Sequence, residues 1–113
     1  METTPEILVL QLAKFKAEAT ELIGAAGIEA LAAYLSARPT AGNVIPGSGG
    51  VRKLRWAAKG RGKRGGARVI YLYLVLASRI YLLRCYAKNV QADLSPSEKR
   101  LLSQIAAELK GAH

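Results

Sequence analysis

Hydrophobic positions along the chain change period as it proceeds. Leu8, Leu12, Phe15, Ala19 and Leu22 recur at three and four residues, one apolar stripe that predicts an amphipathic helix. Its start is read at Thr3-Thr4-Pro5-Glu6: Thr3 caps a backbone N–H, Glu6 stands three residues on as in a capping box, and proline is tolerated in the first turn. Beyond Gly24 and Gly27, the positions Ile28, Leu31, Ala32 and Leu35 form one side of a second helix. It ends near Ala37, because Arg38-Pro39 forces the chain out of helical geometry. A tight link between the two predicts an αα-hairpin, with Tyr34 packing on its apolar face.

The period then drops to two. Residues 40–50 (TAGNVIPGSGG) read as a loop, since glycines and a proline disfavour a regular element there. In residues 51–57, Val51, Lys53, Arg55 and Ala57 fall on one side of a strand and Arg52, Leu54 and Trp56 on the other. That places two cations side by side on one face, with Trp56 turned to the core. Residues 59–66 (KGRGKRGG) form a cationic loop without an apolar anchor. Residues 68–76 and 79–86 are β-rich runs around Ala77-Ser78, predicting an antiparallel hairpin. Both runs are apolar on both faces, so this hairpin is central, with Tyr71, Tyr73 and Tyr81 as packing residues and helices covering at least one side. Ser95-Pro96-Ser97-Glu98 repeats the helix-start signal, and Leu101, Leu102, Ile105, Ala106 and Leu109 follow at helical spacing. The fold class is therefore α+β: an N-terminal helix pair, a small twisted and mainly antiparallel sheet of three to four strands, and a C-terminal amphipathic helix. Residues 1–113 are read as a single domain.

Charge changes this picture from a fold to a function class. The formal net charge is +9, and no acidic residue occurs between Glu29 and Asp93. Arg52, Lys53, Arg55, Lys59, Arg61, Lys63, Arg64 and Arg68 follow one another through this interval, the footprint of a polyanion-binding face. No apolar run approaches the roughly 20 residues of a membrane-spanning helix, so a cytoplasmic protein without a membrane partner is expected. Peripheral attachment is disfavoured, as the cations lie on strands and loops rather than on an amphipathic helix. The single cysteine, Cys85, excludes an intrachain disulfide and a multi-cysteine metal site, and its apolar run makes it a buried small hydrophobe. The one histidine is the terminal His113, which argues against a Ser-His-Asp triad or a zinc site. GRGKRGG lacks the spacing and the Lys-Ser/Thr pair of a phosphate-binding Walker loop. Cations and tyrosines remain, and such groups serve reactions in which negative charge accumulates on phosphate.

The ordered set IPGSGG, RKLRW, GRGKRGG, RVIY and YAKN, followed by the helix start DLSPSEK, resembles the RelE/HigB family of bacterial type II toxins, over about residues 41–110. The resemblance implies a ribosome-dependent mRNA interferase, cleaving mRNA in the ribosomal A site by attack of a ribose 2′-OH on the adjacent phosphate, without metal or other cofactor. Carried over to matching positions, Lys53, Arg55, Arg68, Tyr86 and Lys88 would line the catalytic site. A lysine crowded by cations would act as base and Tyr86 would stack on or orient the nucleotide. Lys59, Arg61, Lys63 and Arg64 are assigned to RNA backbone contacts or a solvated loop, and Arg52 and Arg84 receive no role. The implied partners are the ribosome, mRNA and a cognate antitoxin of the DNA-binding helix-turn-helix type. Family members open with an edge strand, for which the predicted helix leaves only residues 1–4, so a shortened or missing first strand is expected. The alternative reading is a non-catalytic basic RNA-binding or ribosome-associated module, a degenerate toxin.

Overall fold

The computed structural model describes residues 6–59, 66–91 and 93–113. The elements run β1 (Leu8–Gln11), α1 (Ala13–Leu22), α2 (Gly24–Ala37), β2 (Asn43–Val44), β3 (Arg52–Trp56), β4 (Ala67–Leu74), β5 (Arg79–Ala87) and α3 (Pro96–Gly111). Five strands form one sheet in the order β1-β5-β4-β3-β2, antiparallel except for the parallel pair β1–β5. The α+β architecture read from the sequence is therefore correct, with a sheet wider than the three to four strands expected. The two additions are at its edges.

The N-terminal edge corrects the sequence reading. Leu8–Gln11 is a strand, not the first turns of a helix, and the edge strand expected to be shortened or missing is present. Leu8 N–H donates to the Ser78 carbonyl and Leu12 N–H to the Leu82 carbonyl, each at 3.0 Å, so the open edge of β5 captures the segment. Tertiary pairing thus overrides a local helical period. Helix α1 begins only after Leu12, which has extended geometry and makes no side-chain cap. Residues 1–5, including the Thr3 cap, lie outside the described residues. At the other edge, β2 arises within the stretch read as a loop, where Asn43 and Val44 pair with Lys53 and Arg52. Gly42 has no substitute here, because a Cβ would lie 2.8 Å from Tyr71 Cε1 and 2.9 Å from the Lys53 carbonyl oxygen. Tyr71 Oη accepts from Gly42 N–H at 2.8 Å and donates to the Pro39 carbonyl at 2.9 Å, tying this entry segment to the core.

Two apolar layers sandwich the sheet. Phe15, Ala19, Ile23, Leu31 and Leu35 of the α1–α2 region pack on Val69, Tyr71, Ile80, Leu82 and Cys85, with Leu54 and Trp56 at the margin. Leu102 and Ala106 of α3 pack on the opposite face against Ile70, Leu72, Leu83 and Tyr86. The central β4–β5 hairpin is covered on both sides, as its uniformly apolar sequence requires. Its turn is wider than Ala77-Ser78: Leu74 pairs with Arg79, leaving a four-residue loop, residues 75–78, with Ser78 at φ 50° and Val75 and Leu76 exposed. Helix α3 starts as its sequence predicts. Ser95 Oγ accepts from Glu98 N–H at 3.2 Å, and Ser95 N–H donates to Glu98 Oε1 at 2.9 Å.

Candidate functional site

The α3 face of the sheet carries a row of polar groups beside its apolar half. Arg55 on β3 is registered with Arg68 on β4, and Arg68 with Tyr86 on β5. At the usual spacing of paired strands, this row spans roughly 10 Å, the scale of a nucleotide. Lys53 lies two residues from Arg55 and on the same face, in register with Ile70 and Arg84. Four of the five residues singled out for catalysis therefore share one face. Lys88 is one step past β5, exposed, with its N–H donating to the Gly66 carbonyl at 3.2 Å, so it stands at the same end of the sheet as Arg68 and Tyr86.

A β-bulge places Tyr86 in this row. Ile70 is registered with Arg84 but the next residue, Tyr71, with Leu82, so Leu83 is the extra residue. Strict alternation from Ile80 and Leu82 would have put Arg84 and Tyr86 on the helix-pair face. The extra residue shifts the phase: Cys85 joins the α1–α2 core and Tyr86 the α3 core.

Burial and charge around the row are uneven. Arg55 is exposed, whereas Arg68 is 7% and Tyr86 5% accessible. Tyr86 Oη is buried and, among the described residues, has no hydrogen-bond partner. Burial pushes the Tyr86 phenol above its ordinary range, the Asp93 carboxylate adds to this, and Arg68 and Arg84 pull the other way. The phenol is consequently protonated at neutral pH and is a hydrogen-bond donor, not a phenolate base. Lys53 Nζ donates to Asp93 Oδ1 at 3.2 Å. A carboxylate from the β5–α3 connection therefore stands beside Lys53, and that bond keeps Asp93 below the usual carboxylate range.

Arg84, left unassigned from sequence, organises the ground beneath the row. Its Nε and Nη2 donate to Glu18 Oε1 and Oε2, each at 2.8 Å, and its Nη1 donates to Glu98 Oε2 at 2.7 Å. The guanidinium also lies 5.8 Å from the Tyr86 ring centroid. One side chain thus ties α1, β5 and the start of α3 together. Glu98 is pulled down to about 2 by the Ser95 backbone N–H first and by Arg84 next. Arg52, the other unassigned cation, donates through Nη1 to the Gly42 carbonyl at 2.7 Å and braces the entry to β2. The only sequence signal for either role was an arginine within a strand.

Among the loop cations, Lys59 is the one that the described residues include, and it does not join the row. Lys59 N–H donates to the Leu22 carbonyl at 2.7 Å, and a Cβ on Gly24 would lie 3.3 Å from Lys59 Cδ, so Lys59 sits at the α1–α2 junction on the other side of the sheet. Arg61, Lys63 and Arg64 lie outside the described residues. Cys85 is buried, its thiol pushed up to about 12 by desolvation, and takes no part in the site. Among the described residues, no helix is long and apolar enough to cross a membrane.

A mixed sheet with a helix pair on one face and, on the other, a terminal helix beside a cationic row defines a small α+β protein with positive charge gathered on one sheet face. The family of the RelE toxin of the RelE / RelB toxin-antitoxin system matches residues 42–113, and the chain belongs to that family. It is a toxin of a toxin-antitoxin system.

Proposed function

We propose that the protein is a ribosome-dependent endoribonuclease that cleaves mRNA in the A site and thereby stops translation. The observation that carries this reading is the registered row Arg55–Arg68–Tyr86, with Lys53 on the same face. In the reaction, a ribose 2′-oxygen attacks the adjacent phosphorus and the bond to the 5′-oxygen of the next nucleotide breaks, leaving a cyclic phosphate and a free 5′-hydroxyl. The proton lost by the 2′-hydroxyl leaves to a base, and the departing 5′-oxygen gains one. Arg55, Arg68 and Lys53 orient the scissile phosphate and neutralise the charge that grows on its oxygens, a contribution of several kcal/mol in sites of this kind. Lys88, at the same sheet end, adds a contact to the RNA backbone.

The Tyr86 hydroxyl, without a partner among the described residues, gives the phenol a role as donor to a phosphate oxygen or orienting group. For that donor to reach RNA, the connection bearing Asp93 gives way, and the incoming phosphate replaces the Asp93 carboxylate on Lys53. An antitoxin that supplies carboxylates to the same row would silence the enzyme by the same substitution.

A second reading, a basic module that binds the ribosome or RNA without cutting, draws on the near-complete burial of Arg68 and Tyr86. Inducible expression with primer-extension mapping of mRNA breaks, with and without translation, separates the two. Translation-dependent cuts that disappear in Arg68→Ala and weaken in Tyr86→Phe support the nuclease. Growth arrest without cut sites refutes it.

A further inference from the structure

Around the outer edge of β3, on the side facing the helix pair, lies a groove of about 590 Å³ lined by Tyr34, Leu54, Arg55, Trp56, Ala57 and Arg68. Because β2 pairs only with Arg52 and Lys53, nothing among the described strands covers the edge from Leu54 onward. Tyr34 and Trp56 are half-buried, with ring centroids 5.5 Å apart and planes tilted by 58°, so neither ring covers the other face to face. Arg38 lies over the Tyr34 ring at 5.2 Å. Among the described residues, the lining contains two arginines and no carboxylate.

We infer that this groove is a stacking platform for a base of the mRNA flanking the scissile phosphate. Three features favour a nucleotide over a peptide strand. The volume falls within the range of small-molecule sites. Flat aromatic surface framed by arginines matches the way single-stranded nucleic acid is held without sequence-specific hydrogen bonds. Most directly, Arg55 and Arg68 belong to both the groove and the proposed catalytic row, so a backbone clamped by the row has a base within reach of Trp56. The inference rests on the RNA-directed reading above and adds to it a second point of contact outside the α3 face.

Trp56 is the only tryptophan, so its emission reports the groove alone. The test titrates the protein with a short single-stranded RNA blocked against cleavage by 2′-deoxy substitution. The expected result is saturable quenching, with affinity by anisotropy at least about fivefold weaker in Trp56→Leu, the lower end of what one stacked base contributes. Trp56→Phe keeps an aromatic ring and retains most of the affinity, which separates stacking from packing. On ribosomes, Trp56→Leu redistributes the cut positions along an mRNA. Quenching without any cleavage would sink the nuclease reading and leave the platform standing. Unaltered cut positions, absent quenching by RNA, or equal quenching by an acidic peptide would overturn the platform and leave the nuclease untouched.

Discussion

Arg84→Met replaces the guanidinium that joins α1, β5 and α3 with an apolar side chain of comparable length. The Arg84 side chain is 14% accessible and its partners Glu18 and Glu98 are 23% and 29%, so the pairs are largely but not fully withdrawn from water. Removing one member of a fully buried pair costs about 3–5 kcal/mol, mostly from the stranded charge. Here the stranded carboxylates retain donors. Glu18 Oε1 accepts from Cys85 N–H at 3.2 Å, while Glu98 Oε1 accepts from Ser95 N–H at 2.9 Å and from Gln91 Nε2 at 2.8 Å. The expected loss is therefore about 2–3 kcal/mol. In urea, where m for a small protein is about 1–3 kcal/mol/M, that lowers the midpoint by roughly 1 M at unchanged slope.

Adding Glu18→Leu to Arg84→Met removes one orphaned charge and recovers part of the loss. If Arg84→Met leaves the midpoint within about 0.2 M of wild type, the network does not hold the layers together and the argument is wrong. If the second substitution recovers nothing, packing rather than stranded charge accounts for the cost.

The acid limb of stability follows from Glu98, whose folded value of about 2 lies below the ordinary 4.5. Its contribution is complete above pH 4.5 and is lost as pH falls toward 2; an acid titration with an equally steep decline in Glu98→Gln would contradict this. Asp93→Asn removes the carboxylate that competes for Lys53, and because that pair is exposed, RNA binds only about two- to threefold tighter at low salt. Anisotropy showing equal or weaker binding refutes the competition. Gly42→Ala forces Tyr71 or β3 to move and costs about 1–3 kcal/mol, read by thermal or urea unfolding; a neutral result would mean that the entry to β2 is soft. Cys85 reacts with a thiol reagent only on unfolding, and rapid labelling of the native protein would contradict its burial.

Segments whose local signals agreed with their tertiary surroundings were legible in the sequence. Ser95 and Glu98 form the capping box that the SPSE motif predicts, and the alternation of β3 sends Lys53 and Arg55 to one face and Leu54 and Trp56 to the other. The central position of the β4–β5 hairpin followed from apolarity on both faces. Segment Leu8–Gln11 was misread because its leucines fit a helical period as well as a strand, and only the distant edge of β5 decides between them. The partners of Arg84 were invisible for a similar reason: Glu18 and Glu98 belong to different helices on opposite sides of the sheet, and no local pattern links them.

The bulge at Leu83 explains why the common face of Tyr86 and Arg68 could not be found by counting along the chain. Period two along YLLRCYAK groups Tyr86 with Leu82 and Arg84, which would bury its ring under α1 and α2, far from Lys53 and Arg55. One unpaired residue reverses the phase and gives two results together. Cys85, small and apolar, takes the inner position on the helix-pair core, and Tyr86 comes into register with Arg68. The same irregularity brings Arg84 into register with Ile70 and Lys53, where its guanidinium reaches Glu18 on one side and Glu98 on the other. The extra residue therefore sets both the geometry of the row and the ion-pair network beneath it. Restoring regular pairing would dismantle them together while leaving every candidate side chain in the sequence.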